Sequence, residues 1–129
     1  MNDFVFLKSA SWKESHGETN DTLPKFIEDL TGVSKEEFYI HNFPYTNVMI
    51  SNVKFWLDNE INKILKTISY SDLQIKNRWG DLPILGSLLN IYAKDKVDYI
   101  NNLSYQHLSH KNQIKSKFYL KSIKNKENV

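Results

Sequence analysis

Apolar positions along this chain follow two alternating rhythms. Val53, Trp56, Leu57, Ile61, Ile64, Leu65 and Ile68 recur at steps of three and four, the spacing of one buried helix face, with Ser51 placed to cap it. Residues 82–93 (LPILGSLLNIYA) are apolar on nearly every side and predict a second, more deeply buried helix. Asp81 stands at its expected N-cap, and Pro83 falls in the first turn, where a missing N–H costs nothing. A shorter helix is expected from Thr22 as cap, through Pro24 in its first turn, to Gly32 as its stop. Aromatic and β-branched runs predict strands over 3–9, 38–40, 46–50 and 97–100, with a turn at Pro44. The polar stretches 11–20, containing Gly17, and 69–76 read as connections, and 104–107 as a loop. Strands alternating with helices predict an α/β domain with a short mixed sheet and two main helices, too few for a complete doubly wound nucleotide fold.

Length and composition agree with one globular domain. The 129 residues are 40% hydrophobic and 25% charged, enough to bury a core of their own. With no cysteine, disulfides, thiolate catalysis and cysteine-held zinc are excluded. No apolar run reaches the ~20 residues of a spanning helix, and the N-terminus lacks the basic-then-apolar order of a signal peptide.

The net charge of +2 is unevenly spread. Lys111, Lys115, Lys117, Lys121, Lys124 and Lys126 are answered after position 110 only by Glu127, which marks 111–129 as a basic tail behind a domain at 1–110. Such a tail could touch phosphates or an anionic membrane, but a solvated terminus is the preferred reading. Nothing else in the chain suggests nucleic acid as a partner.

Lysine occurs sixteen times and arginine once, at Arg78, inside Asn77-Arg78-Trp79-Gly80-Asp81-Leu82-Pro83. An architectural reading has Gly80 turning the chain, Asp81 capping a helix, Trp79 filling a gap and Arg78 forming a salt bridge. A functional reading notes that a guanidinium grips carboxylate or phosphate at two points, an indole stacks on a pyranose, and an aspartate accepts from hydroxyls. At one strand-to-helix junction these groups would converge on a single crevice.

Four blocks carry a further likeness: Asn47 and Ile50 in Thr46-Asn47-Val48-Met49-Ile50, the pair Phe55-Trp56, the Arg78-Trp79-Gly80-Asp81 motif with Pro83, and Tyr105-Gln106-His107. In order and spacing the chain resembles, over about residues 4–108, the C-terminal half of the catalytic domain of the fungal-type α-1,2-mannosyltransferases of the Golgi. Their blocks run S/T-N-F-E-I, F-W, E-R-W-G-D-x-P and G-Y-x-H. The resemblance implies part of a GT-A-like glycosyltransferase domain, its acceptor and metal half, and an enzyme that transfers mannose or another hexose with retention from GDP-mannose to a glycan hydroxyl. It implies Mn²⁺ on the diphosphate, His107 as metal ligand, Asp81 and the Met49 position as the catalytic sites of the cleft, and Arg78, Trp79, Asn47 and Tyr105 as its substrate-binding residues. Met49 stands where the family carries a glutamate beneath the sugar, and Asn77 where it carries the glutamate before the arginine. Since the family's acidic metal motif and nucleotide-binding strands have no counterpart here, the chain alone is expected to be inactive and to need a separate N-terminal half. A Golgi membrane setting is implied by the resemblance, whereas the lack of a signal, a spanning run and cysteine would suit the cytoplasm if the chain is viral or bacterial, and the location is left open. The alternative is a non-catalytic carbohydrate-binding or interaction module, with Trp79, Tyr105 and Tyr45 as platform.

Overall fold

The computed structural model describes residues 4–40 and 42–100. It is a mixed α/β arrangement, and β1 (Phe6–Lys8) is its centre strand. β1 lies antiparallel to β4 (Met49–Ser51), with Phe6 opposite Ser51 and Lys8 opposite Met49, and parallel to β5 (Val97–Tyr99), with Lys8 opposite Tyr99. The short mixed sheet expected from the pattern is therefore present. A separate ribbon joins β2 (Ser11–Trp12) to β3 (Phe43–Pro44). Pro44, read as a turn, sits in this ribbon. It is tolerated there because a two-stranded ribbon is all edge and asks no N–H of its outward side.

Three helices of twelve residues or more occur among the described residues rather than two. The first, α1 (Gly17–Thr31), starts well before Thr22. Pro24 therefore lies inside it and removes one N–H from its ladder, and burial of Thr19, Leu23, Pro24 and Ile27 keeps the helix intact. Gly32 ends it as expected, at φ 75° with its N–H on the Glu28 carbonyl. Residue 38, expected in a strand, instead closes the single helical turn α2 (Lys35–Phe38). Its ring is fully buried, and its carbonyl accepts 2.9 Å from Asn90 Nδ2.

The long amphipathic helix is broken in two. α3 (Val53–Trp56) is capped by Asn52, and α4 (Asn59–Tyr70) by Asp58, whose Oδ2 accepts from the N–H groups of Glu60 and Ile61 at 3.1 and 3.3 Å. Ser51, the expected cap, instead accepts from Trp56 Nε1 at 2.5 Å. An aspartate that can cap competes with helix continuation, so the local bond wins over the apolar period. The 69–76 connection contains another turn of helix, α5 (Leu73–Lys76). α6 (Asp81–Tyr92) then begins one residue early: Gly80 is the N-cap, and Asp81 is the first helical residue.

α6 is the hub, as its apolar composition requires. Ile84 and Leu88 pack with Leu23, Ile27, Phe38, Ile61, Ile64, Ile68 and Trp79. Leu82 packs with Ala10, Phe43 and Tyr45, and Leu89 with Phe6 and Ala93. Each fully buried leucine contributes about 1.5–3 kcal/mol of transfer free energy. Gly86 allows Phe43 to lie directly on the helix backbone, since a Cβ there would stand 2.8 Å from Phe43 Cγ.

Candidate functional site

The segment singled out by its arginine forms the junction of α5 and α6. Asn77 caps α5, its N–H on the Leu73 carbonyl, and the Trp79 N–H reaches back to the Gln74 carbonyl at 2.9 Å. This six-to-one bond closes a Schellman motif and puts Arg78 in the left-handed position after the cap, at φ 58°. Glycine takes that conformation without a Cβ penalty and is the usual occupant. Here it is arginine, held by Thr19 of α1, whose Oγ1 donates to the Arg78 carbonyl at 2.9 Å and, less closely, to that of Asn77 at 3.4 Å.

The Arg78 side chain is exposed, and among the described residues no carboxylate pairs with it. The salt bridge of the architectural reading is absent there. Trp79 does fill a gap: it is 6% exposed, lies 5.1 Å from the Phe26 ring, and donates its indole N–H to Thr22 Oγ1 at 2.8 Å. At this burial its indole has no open face on which a pyranose could lie. Asp81 is exposed in the first turn of α6, where its charge offsets the positive end of the helix dipole.

The remaining expected residues divide by position. Asn47, in the turn after β3, donates from Nδ2 to the Tyr45 hydroxyl at 3.2 Å, and Tyr45 packs with Leu82 of α6. Asn47 is thereby tied to the α6 entrance. Met49 is 41% exposed on β4, in a row across the sheet with Lys8 and Tyr99. Lys8 Nζ lies 4.8 Å over the Tyr99 ring and donates to Ser11 Oγ at 2.9 Å. Tyr105, His107 and the tail 111–129 lie outside the described residues. Among the described ones, no three His, Cys, Asp or Glu side chains are grouped to hold a metal ion. Nor is any helix among them long and apolar enough to cross a membrane.

The structure adds residues that the sequence pattern left in a loop. A cavity of 460 Å³ is bounded by Trp12, Lys13, Glu14, Ser15 and Asn20. Glu14 is 8% exposed, and its Oε1 accepts from the His16 N–H at 3.0 Å and meets His16 Nδ1 at 2.6 Å. Asn20 donates to the Glu14 carbonyl at 3.1 Å and accepts from the Tyr39 hydroxyl at 2.6 Å. Burial, and then the charge of Glu14, push the Tyr39 phenol well above its ordinary range, so it remains a donor. An acid two residues before a histidine was the available signal for this site. A second cavity of 560 Å³ touches Asn52, Asp58, Glu60 and Tyr92, but those groups serve the caps of α3 and α4 and the 3.1 Å bond from the Tyr92 hydroxyl to Glu60.

No family model matches the chain, and neither curated proteins nor solved structures give a significant match.

Proposed function

We propose that this chain is a small binding module whose ligand carries a phosphate or carboxylate, gripped by Arg78 at the α5–α6 junction. One observation carries the reading. The single arginine occupies a left-handed position that glycine would fill at lower cost, yet its guanidinium faces solvent with no carboxylate partner among the described residues. Backbone geometry does not require that side chain, and charge alone would be met by lysine. What distinguishes it is the planar fork that holds an oxyanion at two points. Asp81 already offsets the positive end of α6, so the guanidinium, rather than the helix end, would supply the attraction.

The test is titration of the full chain with inorganic phosphate and with GDP-mannose, followed by amide chemical shifts. Saturable shifts around 77–81 that weaken at least about tenfold in Arg78→Lys, with an unchanged melting temperature, support the reading. Equal binding by both proteins, or none by either, overturns it.

A catalytic version of the same locus, retaining hexosyl transfer by part of a GT-A-like domain, is supported by the order of the motifs alone. In that version Asp81 would accept from an acceptor hydroxyl, while Met49 can act neither as nucleophile nor as base. Mn²⁺ would depend on His107, and no described cluster of ligands completes a site for it. GDP release from GDP-mannose that is lost in Asp81→Asn would establish transfer. Arg78-dependent binding without release leaves the binding module.

A further inference from the structure

We propose that the outer edge of β4 is a contact between two copies of this chain, laid antiparallel about a two-fold axis beside Ile50, so that two three-stranded sheets join into one. The inference is independent of the Arg78 reading.

The backbone supplies the first observation. β4 is an outer strand in the order β4-β1-β5, and its register with β1 runs without a bulge. The Asn52 N–H bonds the Val5 carbonyl at 2.8 Å, and on the other side of β1 the Ile100 N–H bonds the Lys8 carbonyl at 2.9 Å. Ladder bonds alternate along an antiparallel pair, so Leu7 and Ile50 exchange theirs. Met49 and Ser51, opposite Lys8 and Phe6, turn their N–H and C=O groups away from β1. Among the described residues nothing takes up these outward groups.

Side chains supply the second. Ile50 is more than half exposed, and so are Val53 and Leu57 at the two ends of α3. Residues 42–53 carry no charged side chain. β4 therefore lacks the charge, the proline and the bulge that ordinarily keep an edge strand from pairing. An edge left in this state is a template for another strand.

Charge, register and size select a second copy as that strand. A partner bearing charged side chains would find no counter-charge between 42 and 53, whereas β4 of another copy brings none. In the row of Ile50 the nearest charge is Asp98, two strands back. The remainder of the chain leaves from β5, at the opposite edge of this sheet, and from position 111 it carries six lysines against one acid, for which β4 has no match. With Ile50 opposite Ile50 of the second copy, the outward groups of each Met49 meet those of the other Ser51. The two isoleucines then form the close pair between these bonds, and like patches face each other as a two-fold contact requires. A strand of three residues with its two flanking side chains is smaller than the standard interface of about 1,200–2,000 Å², so association is weak and reversible, with a Kd of roughly 10–300 µM.

The chain has no cysteine, so one introduced thiol reports the joint. Opposed residues of a close pair have Cα atoms about 4.5 Å apart, within disulfide range. With oxidised glutathione as oxidant, Ile50→Cys is expected to form a disulfide-linked dimer at least about tenfold faster than Ile75→Cys, a more exposed control on α5. Sedimentation of the full wild-type chain should show monomer and dimer exchanging up to about 1 mM. Hydrogen exchange should slow with concentration at the Met49 and Ser51 amides and not at that of Ile50, which β1 already holds. Ile50→Lys should remain folded and be monomeric throughout. Should it not fold, cross-linking and the alternation of the wild-type amides decide. Equal cross-linking of the two cysteine variants, a wild-type monomer at about 1 mM, a dimer that Ile50→Lys leaves intact, or exchange that slows at neither Met49 nor Ser51 would each overturn the proposal.

Discussion

The hydroxyl of Thr19, fully buried in α1, donates a 2.9 Å hydrogen bond to the carbonyl of Arg78, 59 residues further along the chain. One turn on, Thr22 accepts the indole N–H of Trp79. Two threonines of a single helix thus hold two successive residues at the entrance to α6. The conformation of Arg78 belongs to α1 as much as to its own segment.

Thr19→Val keeps the side-chain shape and removes the donor. The loss of a buried hydrogen bond should lower stability by about 1–3 kcal/mol, whereas Thr19→Ser should retain most of it. Thermal melting of both variants measures this, and a Thr19→Val melt equal to wild type would make the bond incidental.

Arg78→Gly separates the backbone from the side chain. A non-glycine residue in the left-handed region carries about 1 kcal/mol of strain, so the glycine variant should be equally or slightly more stable. Phosphate binding should disappear in the same protein. A destabilised variant would mean that the arginine stem is packing rather than waiting for a ligand.

Gly86→Ala should be destabilising although alanine is the better helix former by about 1 kcal/mol. Its Cβ would stand 2.8 Å from Cγ and 2.9 Å from Cβ of Phe43, and overpacking of this kind costs about 1–3 kcal/mol. Phe43→Leu in the Gly86→Ala background should recover part of the loss. Denaturant midpoints of the two single variants and the double variant give the coupling between the sites.

Alkaline stability should follow two tyrosines. Burial, the hydrogen bond to Glu60, and the charges of Glu60 and Asp58 push Tyr92 up to about 12, and Tyr39 is raised further by burial and by Glu14. Above about pH 10 the unfolded chain loses these protons while the folded one keeps them. Stability present below pH 10 is therefore expected to fall as pH rises through 12. Difference titration of the wild type against Tyr39→Phe and Tyr92→Phe should show each of these two phenols ionising above its ordinary range, and Tyr39→Phe should flatten the alkaline decline. A steep decline unchanged in that variant would assign it to other groups.

Much of the fold was legible in the residues themselves. The Ile61–Ile64–Ile68 face, the buried character of α6, the glycine stop of α1, and strands at β1, β4 and β5 all follow from spacing, because a helix or strand face shows its period within a few neighbours. Arg78 was singled out by composition alone. What sequence could not decide was settled by partners far along the chain. α1 extends past its proline because Thr19 and Thr22 find Arg78 and Trp79. Residue 38 leaves the strand class because its ring is enclosed beneath α6 and its carbonyl finds Asn90. Gly86 is required only because Phe43 descends on it. The cavity beside Glu14 has its Asn20 amide braced by Tyr39 from another element. Periodicity is a local property and can be read in order along the chain, whereas a buried hydrogen bond or a ring against a backbone depends on which segments meet, and that is decided by the packing of the whole core.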